Sequence, residues 1–295
     1  MTAAAEDKLT VSRALDLAHD RESRVDLRVL LAHVLDRPIA WLLTHPEALL
    51  DDALCAQFLD LLKRRQQGEP VAYLTGEREF HGLPFAVSPQ VLIPRPETEL
   101  LVDCLLEEFP LGRAGRVLDL GTGSGAIAVT LACRRPHLHI SASDCNQGAL
   151  AMAQHNALRL AAAVQIDFRL GDWLTPVHGE RFDAIVSNPP YIRRGDPHLE
   201  SGDLRFEPSA ALVGGEDGLR DLETIIAQAP DHLVAGGFLA VEHGYDQSDA
   251  VQARMRLAGF VSIRSHNDLA GIPRVTEGRR CIDQPNTPGY AQRLS

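Results

Sequence analysis

Val117-Leu118-Asp119-Leu120-Gly121-Thr122-Gly123-Ser124-Gly125 is an apolar strand running straight into a glycine-rich turn. Glycine at such a junction lets the backbone pass close to a ligand and enter a helix sharply. The stretch reads as a nucleotide-type cofactor site at the end of a buried strand. A tight strand-to-helix turn with no ligand is the plainer alternative, and three alternating glycines make it the weaker one. Gly121, Gly123 and Ala126 also satisfy the relaxed dinucleotide pattern, so the loop alone does not separate S-adenosylmethionine from NAD. Asp119 tilts the choice. A carboxylate there is awkward beside a pyrophosphate and welcome beside a cofactor that carries an ammonium and a sulfonium.

Outward from this turn the pattern alternates. A helix over 97–108 leads to a strand over 116–120, and a helix over 124–135 follows the glycines. Next come a strand over 139–143, a helix over 146–160, and strands over 164–170, 182–186 and 238–242. A helix near 247–257 and a strand near 260–265 close the series. Alternating strand and helix predicts an α/β fold with a parallel, doubly wound sheet. Asp144 ends the second strand, about 20 residues beyond the glycines, where an acid commonly accepts from ribose hydroxyls. Its alternative role is a cap for the following helix. Gly171-Asp172-Trp173 follows the third strand. Asp172 suits an adenine amino group and Trp173 suits the ring face.

The chain changes character near residue 80. Leu27, Leu30, Leu31, Val34 and Leu35 form a helical stripe that Asp36-Arg37-Pro38 breaks. Leu54, Phe58, Leu61 and Leu62 share a face of a second helix over 52–67, with Lys63, Arg64 and Arg65 at its dipole-favoured end and Gly68 as its cap. The expected organisation is a helical domain over 1–75, a hairpin linker over 76–96 and a cofactor domain over 97–283. A flexible tail over 284–295 completes it. The linker hairpin is expected from 79–85 and 85–92.

Ser187-Asn188-Pro189-Pro190-Tyr191 follows the strand over 182–186 and points to the chemistry. Two prolines stiffen the backbone and remove two donors, leaving carbonyls free to accept. Asn188 adds a side-chain acceptor and Tyr191 a flat face. Together they suit a planar group carrying an NH2, which donates to the Asn188 side chain and to the Pro189 carbonyl while Tyr191 covers the plane. An amide nitrogen is a poor nucleophile because its lone pair is delocalised. Two acceptors draw charge onto it and aim it at a sulfonium methyl. No metal is needed.

Composition sets the outer bounds. The 295 residues carry a net charge of -11, against the basic balance of most proteins that grip nucleic-acid phosphates. The five cysteines, Cys55, Cys104, Cys133, Cys145 and Cys281, form no C-x-x-C pair, which argues against a disulfide framework and against a zinc site. The 12 histidines show no ligand spacing. No stretch approaches the roughly 20 apolar residues of a membrane helix. Met1–Thr10 lacks the basic start and apolar core of a secretory signal. A cytoplasmic, monomeric protein is expected.

These motifs resemble those of class I amino-methyltransferases. Gly68-Glu69-Pro70-Val71-Ala72-Tyr73-Leu74-Thr75-Gly76, Arg78-Glu79-Phe80 and Leu92-Ile93-Pro94-Arg95-Pro96-Glu97-Thr98-Glu99 narrow the likeness to the peptide chain release factor glutamine N5-methyltransferases. Arg205-Phe206-Glu207-Pro208 and Glu242-His243-Gly244 fit as well. The resemblance spans roughly residues 10 to 280. It implies a seven-stranded Rossmann-like sheet with a small N-terminal helical bundle that helps to hold the substrate. That substrate is the glutamine of the Gly-Gly-Gln loop of class I release factors, and S-adenosylmethionine is converted to S-adenosylhomocysteine. It implies cofactor contacts from Gly121, Thr122, Gly123, Ser124, Gly125, Asp144 and Trp173, with Asp172 and Asp119 as secondary contacts. Asn188 lies between cofactor and substrate, and Pro189, Pro190 and Tyr191 line the substrate slot. Asn188, Pro189 and Tyr191 carry the catalysis. Pro94–Glu99 borders the site, and Arg95, Glu97, Arg193 and His243 receive no role.

Three other activities compete. A sister family methylates a ribosomal-protein glutamine and reads differently at the proline-arginine motif. Adenine-N6 and cytosine-N4 DNA methyltransferases apply the same Asn-Pro-Pro-Tyr chemistry to a flipped base. The charge and the lack of a basic recognition segment oppose that activity, since Lys63-Arg64-Arg65 and Arg193-Arg194 are the notable basic clusters. A nicotinamide-dependent oxidoreductase leaves Asp119 and Asn188–Tyr191 without a task, and a non-catalytic scaffold leaves both intact motifs without one.

Overall fold

Leu27, Leu30, Leu31 and Val34 are buried together in a small helical core, as their three- and four-residue spacing requires. They belong to the first of two compact units in the computed structural model, which describes residues 8–282. This unit takes the chain to Glu77 and includes Ser201–Phe206. Its helices are α1 (Val11–Leu15), α2 (Arg21–Leu35), α3 (Ile39–Thr44), α4 (Asp52–Gln66) and α5 (Val71–Thr75). Asp20 caps α2, and Asp36 ends it in the left-handed region at φ 50°. The Asp51 side chain accepts from Leu54 N–H at 2.8 Å to start α4. Gly68, at φ +93°, follows the helix end as expected. The basic end of α4 is neutralised within this unit: Arg64 pairs with Glu69, and Arg65 with Asp26 and Asp203.

The second unit comprises Arg78–Glu200 and the chain from Glu207. Strands β1 (Glu77–Phe80) and β2 (Leu83–Ala86) form a hairpin. Its turn is at His81-Gly82, both at positive φ, rather than at Phe85 as the sequence suggested. Phe80 and Phe85 are too apolar for a hairpin tip. Their rings meet edge to face at 6.0 Å, and both are buried in the core of the sheet. The tail expected to be flexible, 284–295, lies outside the described residues.

The remaining elements are α6 (Glu99–Glu108), β3 (Gly115–Leu120), α7 (Ala126–Arg134), β4 (Leu138–Asp144), α8 (Gln147–Arg159), β5 (Ile166–Leu170), β6 (Phe182–Ser187), α9 (Arg220–His232), β7 (Leu233–Glu242), α10 (Ser248–Leu257), β8 (Phe260–Asn267) and β9 (Pro273–Arg280). They build the seven-stranded sheet in the order β5-β4-β3-β6-β7-β9-β8. The first five strands in this order are parallel. β9 is antiparallel to β7 and β8, so the fully parallel sheet suggested by the alternation holds only for those five. The short Asp268–Ile272 connection causes this. Asp268 N–H donates to Ile272 carbonyl and its carboxylate accepts from Ile272 N–H, a tight reversal that cannot make a parallel crossover. Strand alternation buries Val117 on one face and Leu118 and Leu120 on the other, each against its own helical layer.

The chain passes from β3 outward to β4 and β5, then returns to β6 on the opposite side of β3. Ligands of open α/β sheets bind outside the carboxyl ends of the strands at such a reversal. The glycine turn leaves β3 there, and Asn188 leaves β6.

Candidate active site

At the end of β3 the glycine turn is tied to its neighbour strand. Gly121 and Thr122 N–H both donate to the Ser143 carbonyl at 2.9 Å. Gly123 N–H donates to Asp144 Oδ2 at 2.9 Å, and Asp144 Oδ1 accepts from Asn146 N–H at 2.8 Å. The capping of α8 falls to Asn146, whose side chain accepts from Gly148 and Ala149 N–H. Asp144 instead stands at the mouth of the turn. Burial raises its pKa against the two backbone donors.

Asp119 lies beneath the turn rather than in its mouth. It is fully buried. Its Oδ2 accepts from Thr122 Oγ1 at 2.7 Å and from Ala128 N–H at 3.2 Å, and Oδ1 has no partner. It therefore locks β3, the turn and the start of α7 together, a role that charge reasoning alone did not suggest. Trp173 comes back over the turn: a Cβ at Gly121 would meet its ring at 3.5 Å. Beside Gly123 the same construction meets nothing within 4 Å, so the turn opens onto free space there. Asp172 is exposed, and its carbonyl accepts from Thr175.

Across the reversal, Ser187 Oγ donates to the Leu120 carbonyl at 2.8 Å and pins the ends of β6 and β3 together. Asn188 Nδ2 donates to Thr98 Oγ1 at 3.0 Å, which leaves Oδ1 as its acceptor. Tyr191 O–H donates to Glu242 Oε1 at 3.1 Å, and its carbonyl accepts from Gln247 Nε2 at 3.0 Å. Gly214 and Gly218 press against this loop so closely that a Cβ would meet the Pro190 carbonyl oxygen at 2.4 Å or that of Tyr191 at 2.3 Å. The Asn188–Tyr191 loop is thus clamped along its backbone.

The proline-arginine motif meets the site from behind. Glu207, with its side chain fully buried, accepts from Ile93 N–H at 3.0 Å and pairs with Arg95. This contact joins two motifs that the sequence left separate and gives Arg95 a structural task. Glu99 accepts from His81 N–H at the hairpin turn. His243 is a core histidine, with its ring nitrogens against the Gly244 carbonyl and Thr276 Oγ1 at 2.9 and 2.8 Å. Arg193 pairs with Asp246 and Arg194 with Glu216, so these arginines form no free basic patch. Away from the site, Cys104, His266 and Glu277 bring ligand atoms within 4.8 Å of one another. Glu277 is already engaged by Arg264 and His266, and burial pushes the Cys104 thiol up to about 12. That group reads as an ion pair beside a protonated thiol.

The sequence reading placed Thr98 only within the bordering Pro94–Glu99 stretch and gave Glu242 no place at the candidate site. Glu242 ends the parallel strand next to β6, so the strand-end rule that found Asp144 applies to it equally. Burial lifts both Asp119 and Glu242 to about 7. For Asp119 the charge of Asp144 adds to the rise, while Thr122 and Ala128 oppose it. Unfolded carboxyls titrate near 4. Between that range and about 7 the folded chain holds the extra protons, so its stability falls as pH rises through the window. The melting temperature of the ligand-free protein should therefore be lower at pH 8 than at pH 5.5. Asp119→Asn should flatten the slope, and an unchanged slope in that variant would contradict the assignment.

Comparison with known proteins agrees with this geometry. Residues 96–203 match the family model described as methyltransferase small domain, and residues 10–76 match that of the PrmC N-terminal domain. A release factor glutamine methyltransferase of Xylella fastidiosa is 48% identical over 265 residues, covering 90% of this chain and 96% of the relative. The protein of the same name from Escherichia coli is 47% identical over 256 residues, covering 87% and 92%. A methyltransferase structure from Pyrococcus furiosus superposes with a TM-score of 0.53 at 20% identity over 76% of this chain and 99% of its own, a likeness of fold.

Proposed function

The chain belongs to the release factor glutamine methyltransferase family, and from that membership we propose that its site methylates the side-chain amide nitrogen of the glutamine in the Gly-Gly-Gln loop of class I peptide chain release factors, so modulating translation termination. It is an enzyme that uses S-adenosylmethionine as methyl donor and releases S-adenosylhomocysteine. The residues at the strand ends fit this cofactor: free space opens beside Gly123, the Asp144 carboxylate stands at the turn, and an unpartnered Asp119 oxygen lies below it. Gly121–Gly125, Asp144, Asp172 and Trp173 would hold it. When bound, it supplies an electrophilic methyl group on a sulfonium.

The rest is the work of the chain. Asn188 Oδ1 accepts one N–H of the substrate amide and the Pro189 carbonyl accepts the other. Pro189 and Pro190 offer no backbone N–H to compete with these bonds. Tyr191 packs over the amide plane. The acceptors raise electron density on nitrogen and hold it in line, and placement of this kind is worth up to about 7–11 kcal/mol of barrier. Nitrogen gains the methyl and gives up one proton to solvent, so the product is a neutral secondary amide. The observation that carries this reading is the Asn188–Thr98 bond, which leaves Oδ1 free as an acceptor at the end of β6, beside the turn that leaves β3.

The helical unit would help to hold the protein substrate, in keeping with its match to the PrmC N-terminal domain. A protein rather than a nucleic-acid substrate also suits the net charge of -11 and the paired arginines of the motif loop. Among the described residues no helix is long and apolar enough to cross a membrane, and the cytoplasm, where release factors act, is the proposed compartment.

Labelled S-adenosylmethionine offered with a purified class I release factor, ribosomal subunits or duplex DNA tests the substrate. Label should appear on the release factor. Label on a ribosomal protein or on DNA alone would keep the chemistry and overturn the substrate.

A further inference from the structure

Two buried side chains hold Asn188 and Tyr191. Thr98 is 4% exposed and Glu242 1%. Thr98 precedes α6, and Glu242 ends β7. Each grips one residue of the motif loop: Thr98 Oγ1 accepts from Asn188 Nδ2 at 3.0 Å, and Glu242 Oε1 accepts from Tyr191 O–H at 3.1 Å. Glu242 Oε2 is buried and closes no hydrogen bond of its own.

The direction of the Asn188–Thr98 bond has a consequence for the slot. The two ends of an asparagine amide have nearly the same shape and opposite hydrogen-bonding character. A threonine hydroxyl has one proton and can either donate to Oδ1 or accept from Nδ2. Here Thr98 Oγ1 accepts from Nδ2 at 3.0 Å. The Asn188 nitrogen is then turned inward, and its oxygen is left for an incoming N–H. The reverse orientation would meet the substrate amide with a second NH2, donor against donor.

We propose that Thr98 and Glu242 are positioning residues for methyl transfer: Thr98 holds the Asn188 amide with its oxygen toward the acceptor nitrogen, and Glu242 anchors Tyr191. The inference rests on Asn188 being the acceptor for the substrate amide. It extends the role of the proline-arginine motif from bordering the site to orienting it.

The test compares the full-length wild type with Thr98→Val, Thr98→Ser and Glu242→Gln. The readouts are transfer of label to a class I release factor, the affinity for S-adenosylmethionine, and the melting temperature. Thr98→Val keeps the shape and loses the hydroxyl. It should lower kcat by about 10- to 100-fold, the scale of a small misplacement in an oriented site, while cofactor affinity stays close to wild type. Thr98→Ser restores the hydroxyl and should recover most of the rate. Glu242→Gln keeps the volume but gives the Tyr191 O–H a weaker acceptor, and its kcat should fall at unchanged cofactor affinity. Equal rates in Thr98→Val and wild type, or equal losses in the Val and Ser variants, would overturn the proposal. If Thr98→Val does not fold, the Ser and Gln variants decide it by recovery or loss of kcat at unchanged cofactor affinity. A wild type that labels no release factor instead removes the reading of the substrate on which the inference depends.

Discussion

Asn188→Ala should lower kcat for methyl transfer by about 10²- to 10³-fold, the usual cost of removing one preorganised hydrogen bond aimed at a transition state. Affinity for S-adenosylmethionine should change by only a few-fold, because the glycine turn, Asp144 and Trp173 lie on other strands and do not depend on this side chain. The size of the effect follows from the weakness of the nucleophile. An amide nitrogen shares its lone pair with the carbonyl, so an acceptor that pulls on its N–H acts most strongly as the new bond forms. Alanine removes that acceptor and also leaves Thr98 Oγ1 without the N–H it receives at 3.0 Å. Fold and melting temperature should be nearly unchanged, since Asn188 is only partly buried and Ser187 and Gln247 still hold the loop ends. Radiometric transfer and calorimetric titration of the cofactor separate the two quantities. A kcat within tenfold of wild type would remove Asn188 from the chemistry.

Gly125→Ala should be the most damaging single methyl in the cofactor turn. Gly125 sits at φ +82° as the residue that opens α7. An alanine there costs about 1–2 kcal/mol for the left-handed conformation alone. Its Cβ would also lie 3.1 Å from the Cα and Cβ of Ala153 on α8 and from Val129 Cγ2 on α7. Neither helix backbone can retreat freely, so overpacking adds about 1–3 kcal/mol. Together these lower the melting temperature by roughly 5–15 °C for a unit of this size, and the distorted turn should weaken cofactor binding as well. Gly123→Ala is the control. Gly123 also has positive φ, at +56°, but its Cβ direction is open. That variant should lose only the conformational part, about 1–2 kcal/mol. Equal melting temperatures for the two alanine variants would mean that α7 and α8 do not close on Gly125 as described.

Much of the candidate site was readable in the sequence because its parts obey one local rule. Gly121–Gly125, Asp144, Trp173 and Asn188 each follow an apolar strand, and a parallel sheet brings such positions to one edge. What local pattern cannot supply is the pairing of distant segments. Thr98 and Asn188 are 90 residues apart, and Arg95 and Glu207 are 112 apart, so neither bond leaves a periodic trace. β9 was hidden by its charges. Glu277 and Arg279 lie in the strand because Arg264 and Glu108 pair with them, and a run such as Glu277-Gly278-Arg279-Arg280 reads as a surface loop until those partners are known. α9 carries a legible stripe in Leu222, Ile225, Ile226 and Ala229. Pro230 in its last turn and the glycines before it broke the signal. Asp119 lies at the turn, and its bonds to Thr122 and Ala128 also make it a fastening beneath the loop, which charge reasoning did not supply.

The position of the transferred methyl group is the most direct test. A class I release factor incubated with the enzyme and isotopically labelled S-adenosylmethionine, then digested and sequenced by tandem mass spectrometry, should carry one methyl on the side-chain amide of the Gly-Gly-Gln glutamine. A release factor with that glutamine replaced should carry none. A methyl on any other residue, or label that persists after the glutamine is replaced, would contradict a site built around Asn188 to hold a primary amide.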